Sequence, residues 1–227
     1  MLNEKTRTIL EKLSSINNSM ILSYPKTGIA LGKSIQAFID MNKFDEQSFD
    51  EIGVWSISEL NSIINVIEDA KVTLDNGFLE ISNGKSSIKY GTTDISIIES
   101  ECRVDPSLPD RIKNNEQVLE FTLTSKEVNN IKKMSSLLKE LSDLEFTSKD
   151  NSLNITTKST EKSSNNYNIS KEAEGEDLSI ILNMDIVNKV PSLDYKVSVY
   201  RSSKGSLVAL FESTTVEGIE IIIAPKA

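Results

Sequence analysis

The sequence predicts an α+β chain of two similar domains, each with short helices on one side of a curved antiparallel sheet. Three observations lead there. Amphipathic helical stretches start near residues 3, 56, 125 and 184, and each is followed by strand-like segments separated by turns. The length of 227 residues suits two domains of about 110 residues each. Between the second and third repeats lies Cys102-Arg103-Val104-Asp105-Pro106-Ser107-Leu108-Pro109-Asp110, whose two close prolines mark a boundary. The expected division is 1–110 and 111–227, with a crossing segment near 100–116.

In the first repeat, Leu2, Ile9, Leu10, Leu13 and Ile16 share one helix side, and Met20–Ser23, Gly28–Leu31 and Ile35–Met41 read as strands. Ile52–Trp55 is a short strand entering the second helix, where Ile57, Leu60, Ile63, Ile64 and Ile67 form the apolar face. Trp55 reads as a partly buried anchor at that junction. Lys71–Leu74 and Phe78–Ser82 flank Asp75-Asn76-Gly77, a strong hairpin turn because Asn-Gly tolerates positive φ, and Ser86–Tyr90 follows. Asp94–Glu101 alternates weakly around Ile95, Ile97 and Ile98.

Gln117–Leu123 alternates cleanly and feeds a helix opening at Ser125, with Val128, Ile131, Met134, Leu138 and Leu141 at helical spacing. Leu144–Thr147 and Leu153–Thr157 make a hairpin around Asp150-Asn151. Asn165–Ser170 and Leu178–Leu182 are further strands on either side of an acidic loop, Glu172–Asp177. Met184, Val187 and Val190 face one way until Pro191 stops the helix. Tyr195–Arg201, Leu207–Phe211 and Gly218–Ile223 complete the pattern.

Composition narrows the function classes. The chain has no histidine, which removes histidine general bases, His-dependent triads and most zinc sites. Cys102 is the single cysteine, so no intramolecular disulfide forms, and without a histidine base it reads as structural. Neither GxxxxGK[ST] nor GxGxxG occurs, Asp45-Glu46 and Asp50-Glu51 read as solvated loop charge, and no spacing around Lys149-Asp150-Asn151 matches a calcium loop. No catalytic residue, metal or cofactor is expected. The first residues carry charges and no apolar core, so no signal peptide is expected. No apolar run approaches the length of a membrane span.

The net charge of −9 is uneven: residues 1–110 carry 17 acids against 10 bases, and residues 111–227 carry 17 against 15. On a wheel of about 100° per residue, Lys132, Lys133 and Lys139 point away from the apolar stripe of the third helix. In the first helix Lys5 and Lys12 stack on one flank and Arg7 points nearly opposite the core. The fourth helix offers Lys189, and the second only neutral groups, Ser58, Asn61, Ser62 and Asn65. Helices sharing one side of the sheets would gather these bases into a strip that follows phosphates without reading bases.

Several stretches carry a family resemblance. They are the opening helix with Lys5, Leu10 and Lys12 followed by Ser15-Ile16-Asn17-Asn18-Ser19, the strand-to-helix switch of Glu51–Leu60, Ile64 to Asp69, and Ile81-Ser82. The crossing at Asp105-Pro106-Ser107 and the segment Ile181-Leu182-Asn183-Met184 complete the set. In these the chain resembles the DNA polymerase sliding clamps of T4-type bacteriophages, over nearly its whole length. The resemblance implies the DNA-clamp fold, with sheets outside and short helices lining the inner face of a homotrimeric ring around duplex DNA. It implies loading by an ATP-driven clamp loader, a partner pocket for the C-terminal peptide of the replicative polymerase, and support of late transcription through a sigma-like factor, all in the host cell cytoplasm. Lys5 and Lys12 match the family's helix positions.

Ring closure requires edge strands to pair between copies. Ile88 and Tyr90, and Tyr167 and Ile169, lie on strands that end analogous repeats and are the expected subunit edges. Val104, Leu108 and the tail residues Ile221, Ile222 and Ile223 are the expected partner-pocket residues. Two other readings stand beside the clamp. One is a scaffold or nucleic-acid accessory protein of the same doubled fold that does not close into a ring. The other is a histidine-free enzyme working with carboxylates and a metal.

Overall fold

The computed structural model describes residues 2–44, 49–138, 140–159 and 165–226. The chain forms two compact units, Met1–Gly32 with Gln36–Pro106, and Lys33–Ile35 with Ser107–Ala227. The fold is α+β, with antiparallel sheets and short helices in both units.

The first unit opens with α1 (Glu4–Leu13), which begins there because the Asn3 side chain accepts from the Thr6 N–H at 2.9 Å. Its apolar side buries Ile9, Leu10 and Leu13, each contributing roughly 1.5–3 kcal/mol over exposure. The strands β1 (Met20–Leu22), β2 (Lys26–Leu31), β3 (Ile35–Asp40) and β4 (Ile52–Val54) follow, in the sheet order β3-β2-β1-β4. Helix α2 (Ile57–Ile64) is capped by Ser56, whose side chain accepts from the Glu59 N–H. Three more strands, β5 (Lys71–Asp75), β6 (Phe78–Ser82) and β7 (Ser87–Gly91), form a second sheet with β7 at one end. The β5–β6 turn uses positive φ at Asn76 and Gly77, 47° and 80°, as the mirror-image hairpin turns demand.

Residues 95–102 depart from the weak alternation expected of them: they form a helix, α3 (Ile95–Cys102). Asp94 caps it through the Ser96 N–H, and Ile95, Ile98 and Cys102 gather against Ile21 of β1. All three residues of β1 are buried, since α3 covers the face on which Ile21 lies.

The second unit begins with α4 (Leu108–Lys113), β8 (Glu116–Leu123) and α5 (Ser125–Leu137). A capping box starts α5: Thr124 accepts from the Glu127 N–H, and the Glu127 carboxylate accepts from the Thr124 N–H at 2.7 Å. The helix ends at Leu137, so Leu141 of the expected stripe is buried from beyond it. Strands β9 (Asp143–Lys149), β10 (Ser152–Lys158), β11 (Asn166–Glu172) and β13 (Leu178–Asn183) form a sheet of order β11-β10-β9-β13, with β11 at one end. Within the stretch read as an acidic loop, the two residues of β12 (Glu174–Gly175) pair with β8. After α6 (Met184–Val187), capped by Asn183, come β14 (Tyr195–Arg201), β15 (Leu207–Ser213) and β16 (Ile219–Ile223). These join β12 and β8 in the order β12-β8-β14-β15-β16. Edge-to-face ring pairs, Phe121–Phe146 at 5.0 Å and Tyr195–Phe211 at 5.7 Å, anchor this core.

Candidate nucleic-acid interface

The helices carry the basic groups of interest, and the structure sorts them. Lys5 and Lys12 are exposed on α1. The Lys5 ammonium donates to the Lys43 carbonyl at 3.3 Å and lies 5.0 Å from the centre of the Phe44 ring, which steers the side chain without neutralising it. Arg7 is different. It is half-buried and donates to Asn65 Oδ1 at 3.3 Å, while Asn61 donates to the Arg7 carbonyl at 3.2 Å. These bonds tie α1 to α2, and Asn61, expected on the outward face of α2, is buried between them.

On α5 the wheel placed two adjacent lysines outward, and they part company. Lys133 is exposed. Lys132 bends back so that its ammonium donates to the Val190 carbonyl, and burial pulls its pKa down from the usual lysine value. Lys189 is half-buried beside α6. Lys139 lies outside the described residues.

On α5 an exposed base, Lys126, was not among the expected residues. Lys126 lies on α5 seven residues before Lys133, with Asn129 exposed between them. Lys126 and Lys133 are the second and ninth residues after the cap Thr124. Lys5 and Lys12 are the second and ninth residues after the cap Asn3 of α1. A seven-residue step spans about 10 Å of helix, so α1 and α5 each present two ammonium groups at the same spacing and the same phase. The heptad spacing was the available signal; comparing the helices from their caps exposes it.

The cap of α5 is itself held by charge. Lys171 Nζ lies 2.8 and 2.9 Å from the two Glu127 carboxylate oxygens and 2.6 Å from the Thr122 carbonyl. Burial pushes the Glu127 carboxyl up, but Lys171 and the Thr124 donors outweigh it and leave the group below its usual range. Asp194 adds a further bond, accepting from the Ser125 N–H at 2.6 Å.

The expected edge residues lie on sheet ends: Ile88 and Tyr90 on β7, Tyr167 and Ile169 on β11. All four are half-buried and alternate with exposed residues.

Three of the expected pocket residues are core. Ile221 and Ile223 are fully buried and Ile222 is 6% exposed, because β16 pairs with β15 and fills the core of the second unit. These three present nothing to a partner. In the first unit Val104 is half-buried over Gly28; in the second, Leu108 opens α4 and is half-buried. Trp55, expected as a partly buried anchor, is 59% exposed, and its carbonyl accepts from the Ser19 hydroxyl at 2.6 Å. Among the described residues no group of three or more His, Cys, Asp or Glu is placed to hold a metal ion, and no helix is long and apolar enough to cross a membrane.

No family model matches the sequence, and no curated protein matches it. Solved structures do match in fold. PCNA from Entamoeba histolytica superposes with a TM-score of 0.67 at 18% identity, covering 97% of this chain and 94% of that one. A. fulgidus PCNA, in a structure with the C-terminal region of FEN-1 bound, gives 0.65 at 14% identity, covering 97% and 94%. The DNA polymerase III β chain of Streptococcus pneumoniae gives 0.65 at 14% identity, covering 97% of this chain and 63% of that one. The architecture is that of the DNA clamps.

Proposed function

We propose that the chain is a DNA sliding clamp of the T4 bacteriophage type, and that three copies close into a ring around duplex DNA. The observation that carries this reading is the repeated lysine pair, Lys5 with Lys12 and Lys126 with Lys133, at matching positions on α1 of one clamp-like unit and α5 of the other. Point charges at regular spacing on exposed helix faces attract phosphates without reading sequence, which is what sliding requires. The net charge of −9 disfavours DNA on the rest of the surface. The division at 1–110 and 111–227 then corresponds to two clamp domains per copy.

In this reading β7 of one copy pairs with β11 of the next. Each is a sheet end, and each sets apolar residues, Ile88 and Tyr90 or Tyr167 and Ile169, on alternate positions. Two different edges joining head to tail give the heterologous contact that a cyclic ring needs, and pairing covers strands that would otherwise invite aggregation. The ring tethers a replicative polymerase through that enzyme's C-terminal peptide, is opened by an ATP-driven loader, and serves late transcription through a sigma-like factor in the host cytoplasm. The bonds and positive charges of the helices act only to hold DNA loosely; the chemistry belongs to the partners.

Threading tests the proposal without a loader. The protein is mixed with a fluorescent linear duplex whose ends are open, or blocked with streptavidin. Association with the open duplex that is lost on blocking supports encirclement. Equal association with both contradicts it and indicates surface binding by an accessory protein.

A further inference from the structure

Residues 93–106 lie across one face of the first unit's sheet, and two glycines make room for them. Ile21 of β1 has Gly28 of β2 directly opposite on one side and Gly53 of β4 on the other. A Cβ on Gly53 would stand 2.2 Å from the Thr93 carbonyl oxygen, and one on Gly28 would stand 1.7 Å from Val104 Cγ2. Neither glycine has the positive φ that would require one, so space explains both. The two ends of the segment are seated in notches, and α3 between them lays Ile98 and Cys102 on Ile21.

The two ends are held unequally. At the first, the Thr93 N–H donates to the Gly53 carbonyl at 2.8 Å in an antiparallel bridge. At the second there is the Val104 side chain, and Arg103 paired with Glu51 at 3.1 Å and with Glu99, all three charged side chains close to half-exposed, a setting in which ion pairs contribute little. Helix α3 itself is weak. It has eight residues, too few to persist alone; Glu99 and Glu101 sit in its last turn with no base there, the wrong sign for that end of the helix dipole. Ile97 is left exposed.

We propose that residues 94–106 form a strap, tethered at Thr93 and at Ser107, that lifts off as a unit while the sheet beneath stays folded. Lifting bares the Gly28–Ile21–Gly53 row together with the Cys102 thiol, the kind of sub-global opening that weakly packed elements undergo. The inference is independent of DNA binding.

Cys102 is the only cysteine and reports the opening directly. Seated, Cys102 is 2% exposed, and its thiol donates to the Ser19 carbonyl at 3.4 Å and accepts from Asn17 Nδ2 at 3.7 Å. The experiment is thiol labelling of the full-length chain with an aromatic disulfide reagent, alongside urea unfolding followed by circular dichroism. Labelling is expected to be faster than global unfolding allows and nearly independent of low urea. Gly28→Ala drives its new methyl into Val104 and is expected to speed labelling by about tenfold or more. Gly28→Ala with Val104→Ala is expected to label no faster than Val104→Ala alone, because the methyls struck are gone. Val104→Ala, which removes the side chain seated over Gly28, is itself expected to speed labelling severalfold while labelling stays nearly independent of low urea, and it decides the matter should Gly28→Ala fail to fold. Labelling that carries the full urea dependence of global unfolding, or that is unchanged in these variants, overturns the proposal.

Discussion

Lys126 stands in α5 where Lys5 stands in α1, two residues beyond the side chain that caps the helix. The partners seven residues on, Lys133 and Lys12, keep the correspondence. Shared phase measured from a cap places charge on equivalent faces in a way that matching helix lengths alone would not. Changing any one of Lys5, Lys12, Lys126 or Lys133 to Ala is expected to weaken duplex binding equally on unrelated sequences. Each change is expected to reduce the salt slope of binding by about 0.9, because one fewer phosphate is neutralised and its counterion is no longer released. Fluorescence anisotropy across a salt series checks this, and an unchanged slope in all four variants would remove these lysines from the interface.

Lys132 serves as the internal contrast. Its ammonium is committed to the Val190 carbonyl and its pKa is depressed by burial. Lys132→Ala is expected to leave the salt slope of DNA binding unchanged and to cost about 1 kcal/mol of stability, the typical worth of such a bond. Because burial lowers the folded pKa of this lysine, raising the pH toward that of a free amine removes a desolvation cost in the native protein rather than adding one. A variant that loses DNA affinity at full stability would return Lys132 to the interface.

The start of α5 should be sensitive to acid. Glu127 is held below the usual carboxylate range, so it binds a proton less readily folded than unfolded. Its contribution is present above the unfolded pKa and is lost as the pH falls through the lower folded value. Glu127→Gln is expected to cost about 1 kcal/mol near neutrality, the scale of a cap and its partly screened ion pair, and nothing once the pH is below both values. Urea denaturation of the two proteins at neutral and strongly acidic pH measures this; a penalty that persisted in acid would show that shape, not charge, holds the cap.

In the second unit Glu212 of β15 and Glu220 of β16 are direct cross-strand partners, a like-charge pair that disfavours the sheet. Lys113 of α4 reaches both, at 2.5 Å each. Burial pulls its pKa down, but the two carboxylates more than offset this and hold it well above the usual lysine value. Lys113→Ala is expected to cost about 1–2 kcal/mol by leaving the two carboxylates opposed. Adding Glu212→Gln is expected to recover part of the loss. Thermal unfolding of the single and double variants checks the coupling, and strictly additive effects would contradict it.

Much of the fold was legible because caps precede apolar runs. Asn3, Ser56, Thr124 and Asn183 each stand immediately before a helix, within one residue of the helix starts expected near 3, 56, 125 and 184. Asn76-Gly77 and Asp150-Asn151 marked their turns because positive φ suits few other residues. Helix α3 was not legible: Ile95, Ile97 and Ile98 fit both periods, and the decision came from packing on Ile21, distant in sequence. The same limit separates Lys132 from Lys133. A wheel gives direction from the helix axis, but only the fold brings the Val190 carbonyl within reach of one of them. The tail Ile221–Ile223 read as a partner pocket, but its pairing with β15 and its burial place it in the core.

In the proposed clamp β7 and β11 join copies of the chain into a closed ring, and molar mass by light scattering over a protein concentration series at moderate salt tests this. A species of about three times the 25.2 kDa chain, favoured at higher concentration, is expected for heterologous cyclic closure. A mass that stays at one chain across the whole series would contradict it.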